Sequence, residues 1–178
     1  MTKQEFINQF YPAAKAAGIA FSINPVVILA QAAIESGWGE SRLASYHNYF
    51  GITAYGRINS YWHGGKIQLT EKGLPFRRYD TTENSFLDYC RLLRGSYNTQ
   101  ANLSYYPAAF AKSIAYSKYI SEVNGDNRAT YQRLMEKLAV SIGQLIPKQI
   151  ENKQDEILII FLHTLPISNF MLYFQYRF

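Results

Sequence analysis

The stretch Asn24-Pro25-Val26-Val27-Ile28-Leu29-Ala30-Gln31-Ala32-Ala33-Ile34-Glu35-Ser36-Gly37-Trp38-Gly39 holds the firmest structural signals in the sequence. Asn24 supplies an N-cap. Pro25 follows as a first-turn proline, whose missing N–H is a donor that a helix start leaves unpaired in any case. From Val26 to Ile34 the segment is apolar almost all round, which predicts a helix buried within a core. Gly37 and Gly39 end it. A carboxylate, Glu35, thus stands at the C-terminal end of a buried helix. Desolvation by that helix and by its neighbour Trp38 disfavours the anion, and so does the negative end of the helix dipole, so the carboxyl is expected to donate a proton near neutral pH. The competing expectation is a last-turn Glu that faces water.

Working outward, Thr2 and Glu5 form a capping box ahead of Phe6, Ile7, Phe10, Tyr11 and Ala14, which predicts a first helix over about residues 3–17, stopped by Gly18. Downstream, a short helical turn over 41–45 leads into Asn48-Tyr49-Phe50-Gly51-Ile52. Gly64-Gly65, and the alternation of Ile67 and Leu69 with Gln68 and Thr70, make residues 52–79 a small β-hairpin lobe. Helical period returns after Thr82 with Phe86, Leu87, Cys90 and Leu93 on one face. Pro107 opens a further helix through Phe110, Ile114 and Ala115, and a loop at Asn124-Gly125-Asp126 precedes a last one with Tyr131, Leu134, Leu138, Ile142 and Leu145. The expected fold is α+β and mainly helical, with one domain over residues 1–146.

Residues 147–178 differ in kind. A polar stretch leads into Ile157-Leu158-Ile159-Ile160-Phe161-Leu162, and about 18 residues without formal charge approach the length of a membrane span. His163, Pro166, Ser168 and Asn169 interrupt the run. A membrane contact, strands packed on the domain and self-association all fit this tail.

With 178 residues, 48% of them hydrophobic and 17% charged, the chain can bury one sizeable core, which excludes a disordered tail or a collagen-like repeat. Aromatic residues reach 16%, which suits a protein that grips flat, ring-shaped ligands as well as one that packs rings in its core. Eighteen Lys and Arg against thirteen Asp and Glu give a net charge of +5, which favours polyanionic partners such as nucleic acid, anionic lipid or the bacterial wall. No zinc spacing, basic zipper or RNA-binding aromatic signature accompanies the charge, and a nucleic-acid module is not expected. A single cysteine, Cys90, excludes an internal disulfide and a cysteine-rich metal site. The start, Met1-Thr2-Lys3-Gln4-Glu5, lacks the features of a secretory signal, so a target outside the cytoplasm calls for release by a holin, a secretion machine or lysis.

A protonated carboxyl beside a leaving oxygen is what glycosidic cleavage needs from a general acid, with a second group to activate water or to stabilise the oxocarbenium charge. Glu71 is the best second carboxylate, because the hairpin bearing it can fold over the helix of Glu35 and form a cleft wall. Asp80, Glu83 and Asp88 are rivals, although Glu83 and Asp88 fall where helix-start and solvent-face charges are expected. His47, His63 and His163 form no helical metal pair, so no metal and no cofactor is expected. Nothing local activates Cys90 as a nucleophile.

The motif Gln31-Ala32-Ala33-Ile34-Glu35-Ser36-Gly37-Trp38-Gly39, followed by Asn48-Tyr49-Phe50-Gly51-Ile52, resembles the bacterial β-N-acetylglucosaminidases of glycoside hydrolase family 73, the flagellar rod-hydrolase and autolysin group. Tyr61-Trp62-His63-Gly64 looks like the family's Trp-x-Gly element, and Thr70-Glu71-Lys72-Gly73 like its Thr-x-Glu hairpin segment. Phe76-Arg77-Arg78-Tyr79, with Ser85-Phe86 and Asp88-Tyr89, is similar to the helix start that follows. The likeness covers about residues 4–145.

The resemblance implies a lysozyme-like fold with the hairpin lobe over the cleft, Glu35 as general acid and Glu71 as second carboxylate. It implies peptidoglycan glycan strands as partner, cut after N-acetylglucosamine by an enzyme acting at the wall, in the periplasm or outside the cell. It gives Trp38, Asn48, Phe50 and Trp62 the lining of the sugar cleft. Tyr119 stands where the family's Gly-Tyr-Ala-Thr-Asp element places an active-site tyrosine, but here Lys118 replaces the Gly and Ile120-Ser121-Glu122 the Ala-Thr-Asp, which leaves Tyr116 as a rival. A muramidase or lytic transglycosylase on the same fold, and a wall-binding module without catalysis, are the competing functions.

Overall fold

The computed structural model describes residues 1–121 and 127–146. The loop expected at Asn124-Gly125-Asp126 and the tail of residues 147–178 lie outside them. The chain divides into a compact unit, Met1–Leu145, and a second unit, Ile146–Phe178.

Helix α1 is Lys3–Phe21, and its capping box is complete: the Thr2 hydroxyl accepts from the Glu5 N–H while the Glu5 carboxylate accepts from the Thr2 N–H at 2.7 Å. The helix runs on past Gly18, where the sequence places its end. Gly18 serves a close approach instead, since a Cβ there would lie 2.5 Å from the Ile23 carbonyl oxygen. The chain turns at Ser22, which takes the left-handed conformation at φ 53°. Helix α2, Pro25–Ser36, begins as expected, with the Asn24 side chain accepting from the Val26 N–H at 2.9 Å. Gly37 closes it in the left-handed conformation at φ 56°, with its N–H returning to Ala33 and Ile34.

A short 3-10 turn, Ala44–Tyr46, leads to the β lobe, whose strands β1 (Lys66–Gln68) and β2 (Pro75–Arg77) pair antiparallel with Ile67 opposite Phe76. A single bridge joins Thr53 to Phe76. Most of residues 52–79 is irregular chain tied down by side chains rather than by a ladder. Helix α3, Thr82–Ser96, is capped by Thr81; α4, Asn98–Asn102, was not foreseen; α5 is Pro107–Ala115 and α6 Arg128–Leu145.

Helix α1 packs against α2 and α3, and α6 packs against α2 and α5. Much of the aromatic content goes into the core between them. Phe10 lies 4.7 Å from both Phe6 and Tyr49, and Phe50 stacks on Tyr89 at 3.9 Å.

Asp88 corrects a sequence expectation. Placed by helix position on the solvent face, it is fully buried. It accepts from Arg77 in an ion pair, from the Tyr79 hydroxyl at 2.7 Å, from Arg91 at 2.7 Å and from Asn59 at 3.0 Å. Arg77 donates further to the carbonyls of Thr53 and Tyr55, so one buried carboxylate fastens the β lobe to α3. The partner that makes the burial tolerable arrives from β2, out of reach of any helical periodicity.

Candidate active site

Glu35, half-buried at the end of α2, lines a cleft of about 400 Å³ between that helix and the β lobe. Phe50, Ile52 and Leu92 give it apolar wall, and Thr53, Tyr55, Tyr97 and Tyr119 give it hydroxyls. Arg77 also reaches it, with its charge already engaged by Asp88. Among the described residues that line the cleft, Glu35 is the one carboxylate.

Its surroundings come from distant parts of the chain. The Tyr131 hydroxyl, on α6, donates to Glu35 Oε1 at 3.2 Å. Gln31, fully buried on α2, donates through Nε2 to the Tyr131 oxygen at 3.0 Å. Burial, and after it the negative charge of Glu35, pushes the Tyr119 phenol well above its usual range. Tyr89 is pushed up as well, by burial first, then by Tyr131, Cys90 and Glu35. Both phenols therefore stay protonated at neutral pH and can donate hydrogen bonds but cannot act as bases. A carboxyl flanked by neutral hydroxyls on an apolar wall can deliver a proton to a leaving oxygen.

The structure brings Glu35, Phe50 and Tyr119 together in this cleft. Tyr119 takes the cleft position, edge-on to Tyr97 at 5.5 Å, while Tyr116 is exposed. The other residues that the resemblance assigns to the cleft are not among the residues lining this pocket. Asn48, fully enclosed, clamps its own loop: Nδ2 donates to the carbonyls of Ile52 and Arg77 at 2.9 and 2.8 Å, and Oδ1 accepts from the Ile52 N–H at 3.1 Å. It shapes the wall formed by Gly51 and Ile52 without lining the cleft itself. Trp62 is buried with Ala54 and Tyr79 as the small core of the β lobe, beneath the Arg77 guanidinium at 4.2 Å and bonded to the Gly65 carbonyl. Trp38 packs edge-on against Phe6 with Lys3 over its ring, on α1.

Glu71 is exposed on the turn between β1 and β2 and is not among the lining residues. Gln68 braces that turn by donating to the carbonyls of Glu71 and Gly73. Of the rival carboxylates, Asp80 pairs with His63 at 2.8 Å on the exposed surface, Glu83 is exposed in the first turn of α3, and Asp88 is bound to Arg77. Cys90 is buried, and burial pushes its thiol far above the usual range, so it is no nucleophile. Among the described residues no group of His, Cys, Asp or Glu is placed to hold a metal.

Sequence reasoning missed Gln31 and Tyr131. By sequence pattern Tyr131 is one more apolar position of the last helix, and Gln31 part of a motif. The anomaly available in sequence was Gln31 itself, a lone amide inside an apolar helix.

The family model of mannosyl-glycoprotein endo-β-N-acetylglucosaminidases matches residues 11–144. The chain belongs to this glucosaminidase family. Among relatives of the glucosaminidase domain, the peptidoglycan hydrolase FlgJ of Pseudomonas aeruginosa is 29% identical over 66% of this chain and 33% of its own length. The autolysin of Enterococcus faecalis is 34% identical over 62% of this chain and 16% of its own. A probable N-acetylmuramidase of Lactococcus lactis is 32% identical over 64% and 27%. This chain thus spans about a third or less of these curated relatives. Among solved structures, the peptidoglycan hydrolase from Sphingomonas sp. A1 aligns with a TM-score of 0.61 at 26% identity, over 80% of this chain and 92% of that one. The catalytic domain of the autolysin Auto from Listeria monocytogenes aligns at 0.62 and 25%, over 82% and 88%. The lysozyme-like, mainly helical α+β fold with a two-stranded lobe is the glucosaminidase fold.

Proposed function

We propose that the chain is a peptidoglycan hydrolase, an endo-β-N-acetylglucosaminidase that cleaves the β-1,4 bond after N-acetylglucosamine. Residues 1–146 form the catalytic domain and Glu35 is the general acid. The observation that carries the reading is Glu35 itself, the one carboxylate among the described cleft-lining residues, at the end of a buried helix and bonded by Tyr131. The cleft walls, part apolar and part hydroxyl, suit the flat faces and hydroxyl rims of pyranose rings. Phe50 and Tyr119 meet the sugar on this reading.

Glu71 is the proposed base. Its turn is exposed, and an inverting pair of carboxylates works at roughly 6.5–9.5 Å, with room for the attacking water between them. An acetamido group of the substrate that supplies the second function is the alternative within the same reaction. The partners are glycan strands, and the place of action is the cell wall, the periplasm or the outside of the cell. The tail of residues 147–178 contributes a membrane or self-association contact on this account.

A second reading, a muramidase, is favoured by the name that the Lactococcus relatives carry. Digestion of purified peptidoglycan, followed by borohydride reduction and mass spectrometry of the new ends, separates the two. Reduced N-acetylglucosamine is the expected product. Muramitol or anhydromuramic ends establish the second reading or a lytic transglycosylase, and no release from any wall type leaves a wall-binding module.

A further inference from the structure

The geometry points to Tyr131 as the residue that positions Glu35, with Gln31 setting the direction of its proton; this rests on the reading of Glu35 as the general acid. Gln31 and Glu35 stand one helical turn apart on the same face of α2. Tyr131 comes from α6 and spans the two. Its oxygen accepts from Gln31 Nε2 at 3.0 Å, and its hydroxyl proton goes to Glu35 Oε1 at 3.2 Å. A tyrosine hydroxyl has a single proton, and with Gln31 donating to its oxygen that proton is placed toward Glu35 Oε1. The carboxyl is thereby held at an orientation fixed by α2 and α6 together.

The cost at Gln31 supports a purpose. Its residue is fully buried in a helix whose other buried side chains are apolar but for Ser36, and its Oε1 has no hydrogen-bond partner among the described residues. A buried amide with one half unsatisfied is disfavoured against an apolar side chain of the same size. What distinguishes Gln31 from such a side chain is its bond to Tyr131. Tyr89 and Tyr119, the other phenols whose titration feels Glu35, are held protonated chiefly by burial, so no competing base stands among them. Tyr131 acts through Glu35 and is a positioning residue.

The test compares wild type with Tyr131→Phe and Gln31→Met on soluble glycan strands, together with crystal structures of both variants. Circular dichroism at the assay temperature fixes the folded fraction. For Tyr131→Phe, kcat per folded enzyme falls about tenfold to a hundredfold while KM is unchanged, because misplacing a reacting group costs rate rather than binding. Gln31→Met gives a smaller loss in the same direction. In the crystal the Glu35 carboxyl of Tyr131→Phe takes a new orientation or several. An unchanged kcat, or a Glu35 carboxyl that keeps its place without the hydroxyl, overturns the inference and leaves Glu35 as acid intact. If Glu35→Gln keeps full activity, the reading of Glu35 as acid falls, and the catalytic role of Tyr131 falls with it. If wild type cuts no glycan, the crystal structures still decide whether Tyr131 holds the carboxyl.

Discussion

The end of α2 that carries the half-buried Glu35 is bordered by side chains from α3, α6 and the segment after α5, whereas the turn that carries Glu71 is exposed and braced by Gln68 through backbone carbonyls. The first region surrounds its carboxylate with groups that fix its position. The second leaves its carboxylate in water on a short hairpin whose strands are three residues each. Regions with few buried contacts open at low free-energy cost, and enclosed ones do not. On the proposed reaction, the half-buried carboxylate is the one to stay still beside a scissile oxygen, and the exposed one to adapt to a bound strand. Asp88 anchors the β lobe to α3, so that its turn, rather than the whole lobe, is the adaptable part.

The largest effect expected from this contrast is on chemistry at the enclosed end. Glu35→Gln keeps the shape and removes the proton, so glycan cleavage falls on the order of 10,000-fold with the thermal midpoint unchanged, read by muropeptide release and by calorimetry. Next comes the anchor. Asp88→Ala leaves the Arg77 guanidinium and the Tyr79 hydroxyl buried without their partner, and chemical denaturation is expected to show a loss of about 3–5 kcal/mol. A loss below about 1 kcal/mol, the range of exposed ion pairs, breaks the claim that one buried carboxylate fastens the lobe.

At the exposed turn the sign of the contrast reverses. Glu71→Gln is expected to slow cleavage about a hundredfold and to leave stability alone, since the side chain is in water. Unfolding at lower temperature with cleavage intact removes Glu71 from the chemistry. The smallest effect is at the start of α3, the helix carrying Asp88 and Tyr89. Thr81→Ala removes the N-cap bond to Asn84 and is expected to cost about 1 kcal/mol in denaturant midpoint experiments, with catalysis retained.

What the sequence made legible was local chemistry. The Thr2–Glu5 box, the Asn24 cap with Pro25, and Gly37 after Ser36 act over three or four residues, and they drew α1 and α2 with Glu35 at the right end. The Gly18 reading failed because a glycine stops a helix or admits a neighbour, and only Ile23 and Pro25 in space show which. Asn48 and Trp62 are found by motif, and the structure shows them holding the wall and the lobe core, since a motif marks a residue that matters without saying which contacts it makes. Asp88 and Tyr131 lay beyond reach for a single reason. Their partners, Arg77 and Glu35, sit on other elements, and Tyr131 is 96 residues from the carboxylate it bonds.

The most direct test of the account digests one peptidoglycan preparation in parallel with wild type and Glu35→Gln and counts new reducing ends by mass spectrometry. Wild type is expected to give reduced N-acetylglucosamine ends and the variant none above background, with both proteins equally folded. Equal release by the two proteins would contradict it, because the enclosed carboxylate would then not be the group that cuts.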